Sequence, residues 1–147
     1  MDGIDPKIAA EVWQRVQGEA PIPKARNSQA MLLREHTLLG AYTRLARQLP
    51  EYGGLLSRMA EQTRQDMACL RGVGILNEKP MGILPTVKPV LEPPELTLKK
   101  CYANALQMTA AYDDMSADRE YGCVYEFLAS RKREHCCKIL QLLGSLK

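Results

Sequence analysis

The chain repeats a stretch of its own sequence, and this repeat constrains the fold more than any other feature. Ala41-Tyr42 is followed by Glu51-Tyr52-Gly53, and the pattern returns as Ala111-Tyr112 and Glu120-Tyr121-Gly122. The offset is 70 residues at the Ala-Tyr pair and 69 at the Glu-Tyr-Gly triplet. A repeat of this length indicates one supersecondary unit used twice. We therefore expect two helical hairpins that together form a four-helix bundle.

Apolar residues recur at three- and four-residue steps within each unit, which predicts long amphipathic helices. The predicted helices cover about residues 28–49, 51–73, 95–115 and 121–144. Before them, Asp5-Pro6 is a typical helix start and precedes an apolar face that includes Trp13. Residues 1–27 are therefore expected to form a short N-terminal helix and a linker that pack on a bundle of residues 28–147.

Residues 75–95 contain five prolines among apolar side chains. Proline at this density is incompatible with a helix. The segment is predicted to be an extended crossover that runs along the bundle and lets the second hairpin start at the same end as the first. The expected fold is all-α, an antiparallel four-helix bundle with one long connection.

Composition excludes several classes of protein. The net charge of +3 comes from interspersed basic and acidic residues, which argues against a nucleic-acid partner. The N-terminal residues lack a signal-peptide pattern, and no apolar run is long enough for a membrane span, so we expect a cytoplasmic protein without a membrane partner. The five cysteines contain no Cys-x-x-Cys pair, which excludes a zinc knuckle. They are expected to be buried thiols, while a reactive Cys136-Cys137 pair stays open.

Polar residues occupy five positions where the helical period calls for an apolar side chain. These positions are Glu35, Thr63, Asp66, Lys132 and His135. The repeat pairs Glu35 with Ala105, Thr63 with Lys132, and Asp66 with His135. Each hairpin therefore has one such slot on its first helix and two slots, three residues apart, on one face of its second helix.

This layout resembles the ferritin-like superfamily, in particular its rubrerythrin-type branch. Glu35 precedes Tyr42 by seven residues, and Lys132-Arg133-Glu134-His135 lies where that family has Glu-x-x-His. The resemblance covers about residues 28–146. It implies a ferritin-like bundle in which a Glu from each first helix and a Glu-x-x-His from each second helix hold two iron ions.

The chain departs from that pattern at four of the six slots, one of which is Asp66 in place of a His. Ala105 and Thr63 replace two carboxylates, and Lys132 replaces a third with a cation. Two divalent ions bring about four positive charges, which the remaining carboxylates do not neutralise. The resemblance therefore implies a degenerate di-iron site.

Two interpretations of the slots stay open. In the first, Lys132 pairs with Glu35 or Asp66, His135 and Thr63 complete the hydrogen bonds, and no cofactor is needed. In the second, Glu35, Asp66 and His135 hold a single iron, manganese or zinc ion.

Several polar residues lie beside these slots. Glu61, Gln62 and Gln65 would reach the interior only if the phase of their helix differed slightly. Arg131 and Arg133 flank Lys132 and are expected to be solvated.

Three functional hypotheses follow. The first is a non-catalytic, ferritin-like binding or structural protein, expected to form a homodimer through exposed apolar residues or the proline-rich crossover. The second is a metal-dependent oxidoreductase of rubrerythrin type. The third is a helical interaction module that resembles the family by convergence, in which case the two hairpins would not be related by a two-fold rotation.

Overall fold

The computed structural model describes residues 28–76, 84–85 and 91–146. Within these ranges all regular secondary structure is helical, and four long helices make up most of it. The predicted all-α class with four helices is thus confirmed. None of the described helices is long and apolar enough to cross a membrane. The helix predicted within residues 1–27 lies outside the described residues.

The first hairpin consists of α1 (Ser28–Gln48), a single 3₁₀ turn (Pro50–Tyr52) and α2 (Gly53–Leu76). Helix α1 ends just before Pro50, which has no N–H group to continue the ladder. Helix α2 was expected to end at about residue 73, but it runs through Gly72 and Gly74 to Leu76. A glycine within a helix costs only about 1 kcal/mol, which a long helix tolerates, and Gly74 is buried there.

The second hairpin consists of α3 (Pro94–Met115) and α4 (Gly122–Ser145). The turn between them is fixed by Asp118, whose Oδ1 accepts the backbone N–H groups of the two residues before α4 at 2.8 Å each. A Cβ atom at Gly122 would collide with the carbonyl oxygen of Ser116. The glycine at this repeated position is therefore required by close approach of the backbone.

Helices α1 and α3 are antiparallel, as the order of two contacts along them shows. Gln48 Nε2 donates to the carbonyl oxygen of Glu92 at 3.3 Å, and Arg34 Nη1 donates to Asn104 Oδ1 at 2.9 Å. Helix α3 therefore begins at the end of the bundle where α1 finishes. The expectation that both hairpins start at the same end was wrong. Helix α2 brings the chain back to the end of the bundle where α1 begins. A connection along the full length of the bundle therefore places the start of α3 at the opposite end, where α1 finishes.

One contact places the described part of the connection beside α1. The carbonyl oxygen of Pro85 lies 3.2 Å from Nε2 of His36, in the first half of α1. The chain has thus travelled part of the way along α1 before it reaches α3. The connection is shorter than the predicted 75–95, because α2 extends to Leu76 and α3 begins at Pro94.

The hairpins contact each other through equivalent positions of the repeat. Arg34 and Asn104 are 70 residues apart, and Arg131 Nη1 donates to the carbonyl oxygen of Gln62, 69 residues away, at 3.0 Å. Equivalent residues touch where a two-fold axis passes between them. Contacts between equivalent residues are of the kind that a two-fold relation between the hairpins produces.

The core is built from leucine, methionine, alanine and tyrosine side chains of all four helices. All five cysteines are free. Cys101 and Cys136 are buried, whereas the other three are exposed, so the expectation of buried thiols was only partly correct.

Candidate functional site

The predicted slots come together in the centre of the bundle. Their side chains are fully buried, with 0% relative exposure, which confirms the prediction that they face inwards: Glu35, Thr63, Asp66, Ala105, Lys132 and His135. They come from all four helices. Charged groups are almost never fully buried unless they are paired, so their partners decide what the site does.

Lys132 is the central residue of this cluster. Its Nζ donates to Glu35 Oε1 at 2.7 Å and lies 3.2 Å from Asp66 Oδ2. The ammonium group of α4 thus joins a carboxylate of α1 to a carboxylate of α2. The predicted pairing of Lys132 with one of the two carboxylates is confirmed, and it extends to both.

Tyr112 supplies a second hydrogen bond to Glu35. Its Oη donates to Glu35 Oε2 at 2.7 Å. Burial and the adjacent carboxylate raise the pKa of Tyr112 well above its usual value, so the phenol keeps its proton. Tyr112 also stacks on Tyr125, with the ring centroids 6.5 Å apart. The sequence reasoning missed this hydrogen bond, although the Ala-Tyr pair repeated in both hairpins marked the position.

Arg131 belongs to the site, contrary to the expectation that it is solvated. Its side chain is only 12% exposed, and its Nη1 lies 3.3 Å from Asp66 Oδ1. The guanidinium carbon lies 4.9 Å from the centroid of the Phe127 ring. Around the axis of α4, Arg131 is rotated by about 100° from Lys132 and lies on the side of α2. Its long side chain reaches Asp66 from that position. With Glu35 and Lys132, the cluster contains two carboxylates and two cations and carries no net charge.

Asp66 is the least well satisfied charge of the cluster. Both of its oxygens lie near cations, but neither makes a hydrogen bond with the geometry that such a bond requires, within the described part of the chain. Burial raises the pKa of Asp66 to about 6, while the Lys132 ammonium, and more weakly Arg131, act in the opposite direction. The desolvation of this carboxylate thus exceeds the attraction of its partners.

His135 takes a different role from the predicted one. Its Nε2 lies 2.8 Å from Gln62 Oε1. Burial and the nearby Lys132 lower the pKa of His135 to about 3, so the ring is neutral near pH 7. The neutral ring donates its Nε2–H to Gln62, which leaves Nδ1 as an acceptor.

Neither His135 nor Thr63 forms a hydrogen bond with the two carboxylates. Thr63 Oγ1 donates to the carbonyl oxygen of Met59 in its own helix at 2.8 Å. Of the neighbouring polar residues, Gln62 turns towards the interior, whereas Glu61 forms a surface pair with Arg64.

The repeat relates the contacts of one hairpin to those of the other. The Asp66–Arg131 contact and the His135–Gln62 contact occupy equivalent positions in the two hairpins. The Glu35–Tyr112 bond has no counterpart, because the equivalent residues are Ala105 and Tyr42.

Tyr42 is left without an acceptor for this reason. Its ring is fully buried and its hydroxyl has no hydrogen-bond partner among the described residues. The ring lies edge-on to His135, with the centroids 5.7 Å apart.

The side chains in the slots do not fit a dinuclear metal centre. Lys132 Nζ lies within 3.2 Å of both carboxylates that such ions would need. The opposite half contributes Ala105 and Thr63, which are not carboxylates. In the part of the chain that the structure describes, no three His, Cys, Asp or Glu side chains are grouped so that they could hold one ion. The internal cation thus lies where two external cations would have to bind.

No protein-family model, curated protein or solved structure matches this chain.

Proposed function

We propose that this chain is a ferritin-like bundle of the rubrerythrin type in which an internal ion-pair cluster has replaced the di-iron centre, and that it acts as a non-catalytic binding or structural protein. One observation carries the proposal. The ammonium group of Lys132 lies 2.7 Å from Glu35 and 3.2 Å from Asp66, and all three side chains are fully buried. A fixed ammonium at this place repels a divalent ion and neutralises the carboxylates that the ion would need.

The duplicated hairpins support the ferritin-like origin. The long connection and the two-fold related contacts between Arg34 and Asn104 and between Gln62 and Arg131 are what a duplicated helical hairpin produces. The slot residues of both hairpins are fully buried, and the ligands of ferritin-like di-metal carboxylate proteins also project into the bundle core.

Metal analysis tests the proposal. The protein is purified without chelators, loaded with Fe(II) under anaerobic conditions, desalted and analysed for iron. Wild-type protein is expected to retain far less than one iron per chain, and His135→Ala is expected to behave in the same way. His36→Ala is the matched control, since His36 lies on the surface side of α1 beside Pro85.

Stoichiometric iron that is retained by wild type and by His36→Ala but lost in His135→Ala would overturn the proposal. It would favour a single-metal oxidoreductase that uses Glu35, Asp66 and His135. Zinc and manganese loading under the same conditions extends the test to the other two ions that this ligand set suits.

The binding role is expected to involve a second copy of the chain. Large apolar side chains are exposed on all four helices, among them Leu33, Ile75, Leu106, Phe127 and Leu140. Apolar surface of this kind favours association. Sedimentation equilibrium over a range of protein concentrations measures the mass directly, and a monomer at all concentrations would contradict the proposed homodimer.

A further inference from the structure

The two halves of the central site are unequal in size. Glu35 and Lys132 fill one half with long side chains, and the equivalent residues in the other half are Ala105 and Thr63. We call the second half the small half-site and define it by Tyr42, Thr63, Ala105 and His135. All of these residues are fully buried.

The small half-site contains two polar atoms that no described residue satisfies. They are the hydroxyl oxygen of Tyr42 and Nδ1 of His135. The two rings are in edge-to-face contact, with the centroids 5.7 Å apart, so both atoms belong to the same region of the interior. Leaving a buried polar atom without a partner is costly, and native proteins contain few such atoms.

The chemistry of these atoms restricts what could bind them. Tyr42 offers an O–H donor and an oxygen lone pair, and His135 offers a lone pair because its Nε2–H is directed at Gln62. Neither ring is charged. The adjacent cations are already neutralised, because Arg131 pairs with Asp66 and Lys132 pairs with Glu35. A charged ligand would therefore be buried without a counter-charge, which is strongly unfavourable.

The required ligand is thus small, uncharged and able both to donate and to accept hydrogen bonds. Alanine and threonine in place of glutamate and lysine leave the small half-site with less side-chain volume than its counterpart. Water has the right size and chemistry, and internal waters typically link about three polar groups.

We propose that the small half-site binds an internal water molecule that accepts the hydrogen bond of Tyr42 Oη and donates one to His135 Nδ1. The water takes the place of the carboxylate that Glu35 provides to Tyr112 in the other half. The inference depends on the repeat and on the two unsatisfied atoms, and it holds whether or not the bundle descends from a metalloprotein.

A crystal structure at high resolution tests the site directly. The expected result is a single density peak about 2.6–3.2 Å from both Tyr42 Oη and His135 Nδ1. The peak should be absent in Tyr42→Phe and present in Tyr112→Phe, the matched change in the other half. A wild-type map without this peak would overturn the proposal. So would a peak at about 2.0–2.2 Å from His135 Nδ1 with an anomalous signal, because that distance indicates a metal ion.

Stability provides a second, independent readout. If Tyr42 donates to a bound water, Tyr42→Phe should lower Tm by roughly 2–8 °C, the shift that loss of one hydrogen bond produces in a domain of this size. If the hydroxyl is unpaired, removing it relieves a desolvation penalty and Tm rises or stays the same. An unchanged or higher Tm would therefore contradict the proposal. Tyr52→Phe, in the turn between α1 and α2, controls for loss of a tyrosine hydroxyl elsewhere.

Discussion

Lys132 and Glu35 form an ion pair between side chains that are 97 residues apart in the sequence, with Nζ 2.7 Å from Oε1 and neither side chain exposed. The pair joins the first helix of one hairpin to the second helix of the other. Asp66 and Arg131 extend it to a neutral cluster of four charges. Folding therefore brings each charge into the interior together with its counter-charge.

The first prediction concerns the loss of the central cation. Lys132→Met leaves Glu35 and Asp66 buried near one another with only Arg131 to balance them. We expect the free energy of unfolding to fall by about 3–5 kcal/mol, the usual cost of breaking a buried pair. Urea denaturation followed by circular dichroism measures the change.

Two further variants distinguish the loss of the buried Lys132–Glu35 pair from the loss of a lysine alone. Lys132→Met combined with Glu35→Gln should recover part of the lost stability, because the unpaired carboxylate is removed as well. Lys100→Met removes a lysine that pairs with Glu92 at the surface and should change stability little. If Lys132→Met and Lys100→Met were equally mild, the buried pair would not hold the hairpins together.

The second prediction concerns the hydroxyl that supports Glu35. Tyr112→Phe removes the 2.7 Å bond to Oε2 and leaves that oxygen without its donor. A hydrogen bond to a charged group contributes about 1.5–3 kcal/mol, so the variant should lose stability in that range. The midpoint of urea denaturation measures the loss, with an unchanged m-value as the sign that the unfolded state is not altered. A midpoint equal to that of wild type would show that Glu35 does not depend on Tyr112.

The sequence predicted the interior positions well because the helical period alone determines them. Once Leu38, Tyr42 and Leu45 define the inward face of α1, Glu35 must lie on that face. The repeat then transfers the same argument to the second hairpin without any knowledge of tertiary contacts.

The partners of these side chains were less predictable, since they depend on how the hairpins are placed relative to each other. Tyr112 reaches Glu35 only because α1 and α3 are antiparallel and meet near Arg34 and Asn104. Arg131 reaches Asp66 through a long, flexible side chain whose rotamer the period does not specify. The direction of α3 was also not predicted correctly, because the proline content indicates an extended crossover but not the end of the bundle at which the crossover finishes.

The third prediction follows from the raised pKa of Asp66, about 6 in the folded protein against about 3.9 in an unfolded chain. At a pH between these two pKa values, Asp66 is protonated in the folded state and ionised in the unfolded state. The contribution of Asp66 to stability is therefore fully present below pH 4 and is lost as the pH rises to about 6. Its size is on the order of 3 kcal/mol.

Comparison with Asp66→Asn isolates this effect. As the pH rises from about 4 to 6, wild type should lose stability relative to Asp66→Asn, and above that range the difference should be constant. Asp113→Asn, which removes a surface carboxylate paired with Arg133, is the control for changes in overall charge. A difference that did not vary with pH in this window would show that Asp66 titrates normally.

The fourth prediction concerns His135, whose pKa of about 3 lies below the value of about 6.5 for an unfolded chain. The unfolded state takes up a proton below pH 6.5 and the folded state does not, so the contribution of His135 to stability is present above pH 6.5 and is lost as the pH falls towards 3.

Ring ¹⁵N chemical shifts should report a neutral imidazole with its proton on Nε2 from pH 8 down to about 4.5. The same ring in urea-unfolded protein should titrate near 6.5. In His135→Gln the loss of stability between pH 6.5 and 4.5 should be smaller than in wild type, and in His36→Gln it should be retained. A folded-state titration of His135 near 6.5 would mean that the ring is hydrated, and its hydrogen bond to Gln62 would then not be the buried contact described above.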